Sequence, residues 1–220
     1  MADFKTHVSV AAALSIPLAA GTYFFHLASL TDALLYALAG TLGGMLPDID
    51  ADESIAIRIV FRLFGALTAA VCGWLWFDEL LIWHVLALAL ASYFVVRIPV
   101  QWVFERLTDH RGVLHSLLAN VLFTVVAVPI AYHVLGLSAK TAWGIGAFIF
   151  FGATVHLILD EVYSIDLSGM RVKRSFGTAL KLTDWKEPLA SLIFVVACGV
   201  GYWLSPGLEA WQQSLLALTP

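Results

Sequence analysis

Long apolar stretches dominate the sequence, and short groups of charged or polar residues separate them. Their lengths fall within the roughly 17 to 25 residues that a helix needs to cross a bilayer. The pattern predicts seven membrane-spanning helices, over residues 8–27, 31–47, 56–77, 80–99, 113–135, 141–160 and 188–204. The tail, 207–220, has the pattern of an interfacial helix. We therefore predict an all-α, polytopic integral membrane bundle built as a single membrane domain over 1–220.

Composition strengthens this prediction and excludes one class of partner. The chain is 60% hydrophobic and 13% charged, whereas soluble domains carry about 25% charged residues. A net charge of -4 gives no reason to expect nucleic-acid binding. Cys72 and Cys198 lie far apart in apolar stretches and are interpreted as small buried residues. The lipid bilayer is the expected partner, and the sequence leaves the oligomeric state open.

The basic residues indicate which side of the membrane each connection faces. When the chain is threaded through seven spans, eleven of its twelve lysines and arginines fall on the side of the N-terminus. Only Lys140 falls on the other side. The positive-inside rule makes the basic side cytoplasmic, with the C-terminus on the opposite side.

The same threading divides the seven histidines into two groups. His26, His84 and His133 lie near the outer side and are interpreted as amphipathic interfacial residues. The other four lie at the cytoplasmic boundary, in the motifs "TH" at 6–7, "HRGVLHS" at 110–116 and "HLILDE" at 156–161, and the aspartate motif "LPDID" at 46–50 lies at the same boundary. These motifs are distant in sequence, yet the threading brings them to one depth on one face.

Histidines and carboxylates meeting at one depth predict a metal site. Neutral imidazoles and carboxylates are ligands that zinc, manganese or iron would accept, and a mixed cluster could hold one or two ions per chain. His156 and Asp160 are four residues apart, so they share one helix face. An extended backbone after Pro47 could turn Asp48 or Asp50 inward. The predicted metal ligands are His7, Asp48, Asp50, His110, His115, His156 and Asp160.

Three further residues are candidates for catalysis. Arg111 would offer planar, fork-like donors to a phosphate oxygen. Ser116 could cap a helix, bond a ligand histidine or act as a nucleophile, and Glu161 could be a general base or face solvent. We expect His110 to precede the fifth spanning helix and His115 to lie in its first turn.

The motifs "KTH", "GGMLPDID", "HRGVLHS" and "HLILDEVYS" resemble, in this order, those of the YdjM-type family of bacterial inner-membrane proteins. The resemblance extends over most of the chain, from Lys5 to Leu182, and implies a metal-dependent hydrolase of the inner membrane. That family is also described as LexA-binding. The early "TH", "PDID" and the HxxxD pattern are more distantly similar to zinc-dependent phospholipase C. By that similarity His7, Asp48, His156 and Asp160 match metal-ligand positions.

Three classes of function remain open at this point. The leading hypothesis is a membrane hydrolase that acts on a phosphoester or phospholipid at the cytoplasmic interface. The second is a regulatory or scaffolding membrane protein with a structural metal site, in which "RVKR" at 171–174 binds anionic lipid or a soluble partner. A transporter is the least favoured class, because the charged residues gather at one end of the spans rather than near the midplane.

Overall fold

Helices account for nearly all of the regular structure in the computed structural model, which describes residues 3–50, 55–107, 112–166, 171–172 and 180–209. The α-helices of this part of the chain are α1 (Phe4–Phe24), α2 (Leu30–Gly43), α3 (Ile55–Leu75), α4 (Ile82–Val95), α5 (Gln101–Leu107), α6 (Leu117–Pro129), α7 (Ala139–Val162) and α8 (Pro188–Leu204). A 3-10 helix covers Leu46–Asp50. Two short strands, β1 (Ile165–Asp166) and β2 (Arg171–Val172), pair antiparallel. The predicted all-α bundle is therefore confirmed.

Helix length supports fewer spanning helices than the seven that the sequence predicts. Within the described ranges, five helices are long and apolar enough to cross a membrane: Phe4–Phe24, Ile55–Leu75, Ile82–Arg106, Leu117–Val134 and Ala139–Val162. The predicted segments 31–47 and 188–204 form shorter apolar helices, α2 with 14 residues and α8 with 17. At 1.5 Å per residue, α2 is roughly 21 Å long, less than the hydrocarbon thickness of about 30 Å.

Two prolines explain where the long helices change their winding. Pro99 lies inside a π-helical turn, Val96–Val100, which links α4 to α5. Pro129 comes directly before a second π-helical turn, Ile130–Val134. Proline has no N–H to donate and its ring crowds the carbonyl four residues earlier, so the helix widens locally instead of ending. The predicted boundary at residue 99 was therefore wrong, since the helix continues to Leu107.

The chain forms two compact units. The first consists of Met1–Pro47 together with Gly112–Pro220, and the second is Asp48–Arg111. In the first unit α7 packs against α1, α2 and α6, and α8 packs against α6. In the second unit α3 packs against α4, and Gly65 permits a close approach because a Cβ there would lie 2.9 Å from Cδ2 of Tyr93. The prediction of a single membrane domain stays a prediction.

Large apolar side chains cover the outward faces of the first unit. They include Leu14 and Leu18 on α1, Leu34 and Leu38 on α2, and Leu192 and Val196 on α8, each about half exposed or more. A soluble protein rarely leaves so many large apolar side chains open to water. These faces suit contact with lipid, as the composition predicts.

Candidate metal centre

A stripe of small and functional residues runs along the buried face of α7. Its members recur every four residues, namely Gly144, Phe148, Gly152, His156 and Asp160. Residues four apart lie above one another on a helix. His156 and Asp160 therefore end a stripe whose earlier members pack against neighbouring helices. The helical pairing that the sequence predicts for these two residues is present in the structure.

A matching stripe on α1 brings His7 to the same place. The buried residues of α1 are His7, Ala11, Ser15 and Ala19, again four apart. Asp3 caps the helix, with its Oδ1 accepting a hydrogen bond of 2.7 Å from the backbone N–H of Thr6. His7 therefore lies in the first turn of a helix whose starting point is fixed.

Glycines hold α1, α2 and α7 close together. A Cβ on Gly152 would lie 1.9 Å from the carbonyl oxygen of Gly40, and one on Gly44 would lie 2.2 Å from Cβ of Ala11. Larger residues at these positions would push the helices apart. Small residues spaced in this way let helices approach within backbone contact. As a result, the rings of His7 and His156 stack, with centroids 3.6 Å apart and planes 14° from parallel.

His115 reaches the cluster from the loop that leads into α6. Helix α6 begins at Leu117 with Ser116 as its cap, so His115 precedes the helix by two residues. The expectation that His115 lies in the first helical turn was wrong, because the backbone of Ser116 is extended and the helix begins only after it, at Leu117. The backbone N–H of His115 donates to the carbonyl of Gly112 at 3.3 Å, which makes a tight bend.

The three imidazoles surround one carboxylate. His7 Nε2 is 3.2 Å from Asp160 Oδ1, and the Nε2 atoms of His115 and His156 are each 3.9 Å from Asp160 Oδ2. All four side chains are almost fully buried, with at most 1% of each exposed. Neither carboxylate oxygen accepts a hydrogen bond of acceptable geometry from any residue that the structure describes. A buried carboxylate with no donor is costly.

A divalent ion fits this arrangement. Zinc binds imidazole nitrogen and carboxylate oxygen at roughly 2.0–2.2 Å, which in a tetrahedron separates ligand atoms by about 3.3 Å. One ligand atom each from His7, His156 and Asp160 lie within 4.8 Å of one another. The 3.2 Å between His7 Nε2 and Asp160 Oδ1 already matches such a set, and the 3.9 Å to His115 and His156 would close by small side-chain movements.

A backbone carbonyl orients the ring of His156. Its Nδ1 lies 2.8 Å from the carbonyl oxygen of Gly44. A carbonyl oxygen only accepts, so Nδ1 carries a proton, and the nitrogen that faces Asp160 is Nε2, which holds the lone pair whenever the ring is neutral. This is the arrangement in which a protein commonly orients a histidine ligand.

The other predicted site residues have different outcomes. Asp48 is half-buried in the second unit, in the 3-10 helix Leu46–Asp50, and its role as a ligand stays a prediction. His110, Arg111 and the side chain of Asp50 lie outside the described residues.

Ser116 and Glu161 lie beside the cluster in sequence. Ser116 Oγ accepts from the backbone N–H of Ala119 at 3.2 Å and donates to the carbonyl of Val113 at 2.5 Å. This geometry favours the capping role over that of a nucleophile. Glu161 is half-buried on the last turn of α7, next to Asp160. Its role as a base stays a prediction.

The remaining histidines of the described chain lie away from this cluster. His26, His84 and His133 are all exposed, and His133 Nε2 bonds the carbonyl of Leu204 at 2.8 Å. Their placement agrees with the interfacial interpretation.

Sequence reasoning missed the groups that hold the ligands in place. The carbonyl of Gly44 orients His156, and the carbonyls of Lys181 and Leu182 accept from the first amides of α6 at 2.9 and 3.0 Å. Backbone carbonyls carry no residue-specific signal, so no motif could have revealed them. A buried pair between α6 and α7, Asn120 Nδ2 donating to Thr154 Oγ1 at 3.3 Å, was also missed. Polar residues inside two apolar segments were its only signal.

Comparison with known proteins gives one result. The sequence model of the YdjM inner membrane protein family matches residues 1–218. Neither the curated proteins nor the solved structures contain a match to the chain.

Proposed function

Because the chain belongs to the YdjM inner membrane protein family, we propose that it is an integral inner-membrane, metal-dependent hydrolase. The observation that carries this proposal is the buried carboxylate of Asp160, which three imidazoles surround and to which no described residue donates a hydrogen bond of acceptable geometry. A divalent cation would compensate the charge of such a carboxylate. His7, His115, His156 and Asp160 would hold that cation, and zinc suits this ligand set, with manganese or iron as alternatives.

Each residue of the site has a proposed part in hydrolysis. A bound divalent ion supplies Lewis acidity toward water and toward a phosphate oxygen. His156 is held by Gly44 with Nε2 directed to the site. Glu161, next to Asp160, is the proposed base, and Arg111 is the proposed donor to negative charge that develops on the substrate. A phosphoester, in particular a phospholipid headgroup, is the substrate class that these groups suit.

The orientation proposed for the chain places the site where such headgroups lie. The short apolar helices α2 and α8 complete seven spans in this proposal, with the N-terminus in the cytoplasm. His7 then lies at the start of the first span, and His156 and Asp160 lie at the end of α7. Both positions are on the cytoplasmic side, in keeping with the eleven basic residues assigned there.

A structural metal site is the second candidate, and one observation favours it. The four clustered ligands are almost fully buried, and four protein ligands can fill a tetrahedral ion. In that case the ion would stabilise the helices without reacting. The regulatory or scaffolding function would then fit better than the hydrolase.

Paired measurements of bound metal and turnover test the proposal. The full chain in lipid nanodiscs should retain at least one divalent ion and hydrolyse a member of a phosphoester and phospholipid panel. Asp160→Asn should lose both properties, whereas His133→Ala, an exposed histidine outside the cluster, should keep both. Metal without turnover on the whole panel would favour the structural site. Metal-free wild-type protein would contradict both candidates.

A further inference from the structure

Residues 180–187, which lead into α8, are here named the capping segment. This segment has two different faces. Its backbone faces α6. The N–H groups of Leu117 and Leu118 donate to the carbonyls of Lys181 and Leu182 at 2.9 and 3.0 Å. These are two of the amides that the start of a helix leaves without an intrahelical partner. The capping segment therefore completes the beginning of the helix that follows His115.

Side-chain hydrogen bonds hold the capping segment in one conformation. Lys181 Nζ donates to Asp184 Oδ2 at 2.6 Å. Thr183 Oγ1 donates to Ser191 Oγ at 2.7 Å, and Ser191 Oγ donates to the carbonyl of Asp184 at 3.0 Å. Both Thr183 and Ser191 are buried. These contacts tie the segment to the first turn of α8 and keep its carbonyls directed toward α6.

The opposite face of the capping segment is apolar and open. Leu182 is 69% exposed and Trp185 is 80% exposed, and Lys186 lies exposed beside Trp185. Tryptophan and lysine are enriched at the boundary between lipid and water. The apolar surface continues onto α8, where Leu189 is 70% exposed. In a chain of an inner membrane family, the bilayer is the partner that covers such a surface.

We propose that the capping segment is a membrane-interface element that positions His115. The side chains of Leu182, Trp185 and Lys186 lie among lipid headgroups and the adjoining acyl chains, and the carbonyls of Lys181 and Leu182 fix the start of α6. Displacing the capping segment from the lipid releases the amides of Leu117 and Leu118 and loosens the start of α6, so the buried His115 two residues earlier becomes accessible. The consequence for catalysis rests on the proposed function, whereas the lipid contact and the protection of His115 do not.

The lipid contact can be measured with a spin label. Cys72 and Cys198 are replaced by alanine, and Trp185→Cys is labelled in the full chain in nanodiscs of phosphatidylethanolamine and phosphatidylglycerol. Power saturation should show greater access to oxygen than to a water-soluble nickel complex, as expected for a label at Leu192→Cys on the exposed face of α8. A label at Asp78→Cys, in the exposed turn between α3 and α4, serves as the water-accessible control. Nickel access at residue 185 equal to that at residue 78 would overturn the proposal.

The coupling to His115 can be measured on metal-free protein, so the result does not depend on any hydrolase activity. Diethyl pyrocarbonate modifies accessible histidines, and mass spectrometry gives the rate for each one. Leu182→Asp, which places a charge on the lipid-facing side, and Thr183→Val, which removes the hydroxyl contact, should each raise the rate at His115 by about tenfold. His7, held by α1, should stay slow.

The matched control is Thr68→Val, because the hydroxyl of Thr68 donates within its own helix, to the carbonyl of Gly65 at 2.9 Å. It should leave the rate at His115 unchanged. If His115 is modified in both test variants at the wild-type rate, the capping segment has no positioning role. An equal rise at His7 and His115 would show general unfolding and would also overturn the proposal.

Discussion

His156 donates a hydrogen bond from Nδ1 to the carbonyl oxygen of Gly44, across 2.8 Å between α7 and the end of α2. The bond is possible because glycines let the two helices touch, with Gly152 facing the carbonyl of Gly40. It places a proton on Nδ1 of His156 and turns Nε2 toward Asp160. The contact between α2 and α7 therefore both packs the small residues and orients the ring of His156.

Replacing Asp160 with asparagine should change stability in opposite directions with and without metal. In metal-free protein the variant removes a buried charge that no described residue compensates with a hydrogen bond, so the free energy of unfolding should rise by about 1–3 kcal/mol, the usual cost of an unsatisfied buried group. In metal-loaded protein the variant should be the less stable form, because a ligand is lost. Thermal unfolding in nanodiscs, with and without added zinc, measures both effects.

The control for this experiment is Asp32→Asn, at the other end of α2. Asp32 completes a capping box with Ser29 and accepts from Thr141 Oγ1 at 2.8 Å. Its replacement should lower stability by roughly 1 kcal/mol whether or not zinc is present. Equal behaviour of the two variants would rule out an ion at Asp160.

Gly152→Ala should disrupt the metal cluster although Gly152 is not a ligand. The new Cβ would lie 1.9 Å from a backbone oxygen, so α2 and α7 must separate and the bond from His156 to Gly44 must weaken. We expect metal retention to fall at least tenfold, together with a lower unfolding temperature. Gly199→Ala on α8 meets nothing within 4 Å and should be neutral or slightly stabilising. Normal metal content in Gly152→Ala would show that the helix contact does not position His156.

The part of the site that repeats along helices could be predicted from sequence. His156 and Asp160 are four residues apart on an apolar segment, so their shared face follows from helix geometry alone. His7 follows from the apolar period of α1. What brings the two faces together is a set of backbone contacts at Gly40 and Gly44. The sequence shows the spacing of those glycines but not which helix they meet.

The part of the site that depends on a loop could not be predicted in detail. His115 was expected inside a helical turn, but Ser116 starts the helix after it. That start is fixed by carbonyls of Lys181 and Leu182, which accept from Leu117 and Leu118, and a carbonyl is common to every residue type. The count of seven spans stays a prediction for a similar reason. Hydropathy recognises apolar residues, whereas the end of α2 at Gly43 depends on where the backbone turns.

Reporter fusions test the orientation on which the cytoplasmic site depends. Fusions after Asp109 and after Lys181 should both report the cytoplasm, and a fusion after Lys140 should report the opposite side. The physical reason is that eleven of the twelve basic residues then face inward. If the fusions at 109 and 181 report different sides, the proposed seven-span topology fails.

Acid should loosen the capping segment through Asp184. The hydrogen bond from the Lys181 ammonium lowers the pKa of Asp184 below its usual value. A carboxylate whose pKa is lowered by folding stabilises the fold above its unfolded pKa of about 3.9, and this stabilisation is lost as the pH falls through the lower, folded pKa. Spin-label mobility at Trp185→Cys should therefore stay constant from pH 7 to about 5 and rise below about 4. In Asp184→Asn the label should be mobile at every pH, and an unchanged acid transition in that variant would assign the effect to another group.

Arg111 and His115 belong to one sequence motif, and substitutions should separate their roles. His115→Ala removes an imidazole that lies 3.9 Å from Asp160, so bound metal and turnover should fall together. Arg111→Lys keeps the positive charge but removes the planar pair of donors, so metal content should stay normal. Turnover of the phosphoester substrate should then fall tenfold or more, since a donor directed at developing charge is commonly worth about 10²–10³ in rate. Elemental analysis and turnover on the same nanodisc preparations measure both quantities. Wild-type turnover in Arg111→Lys would leave Arg111 as one of the positive-inside charges, with no part in binding the transition state.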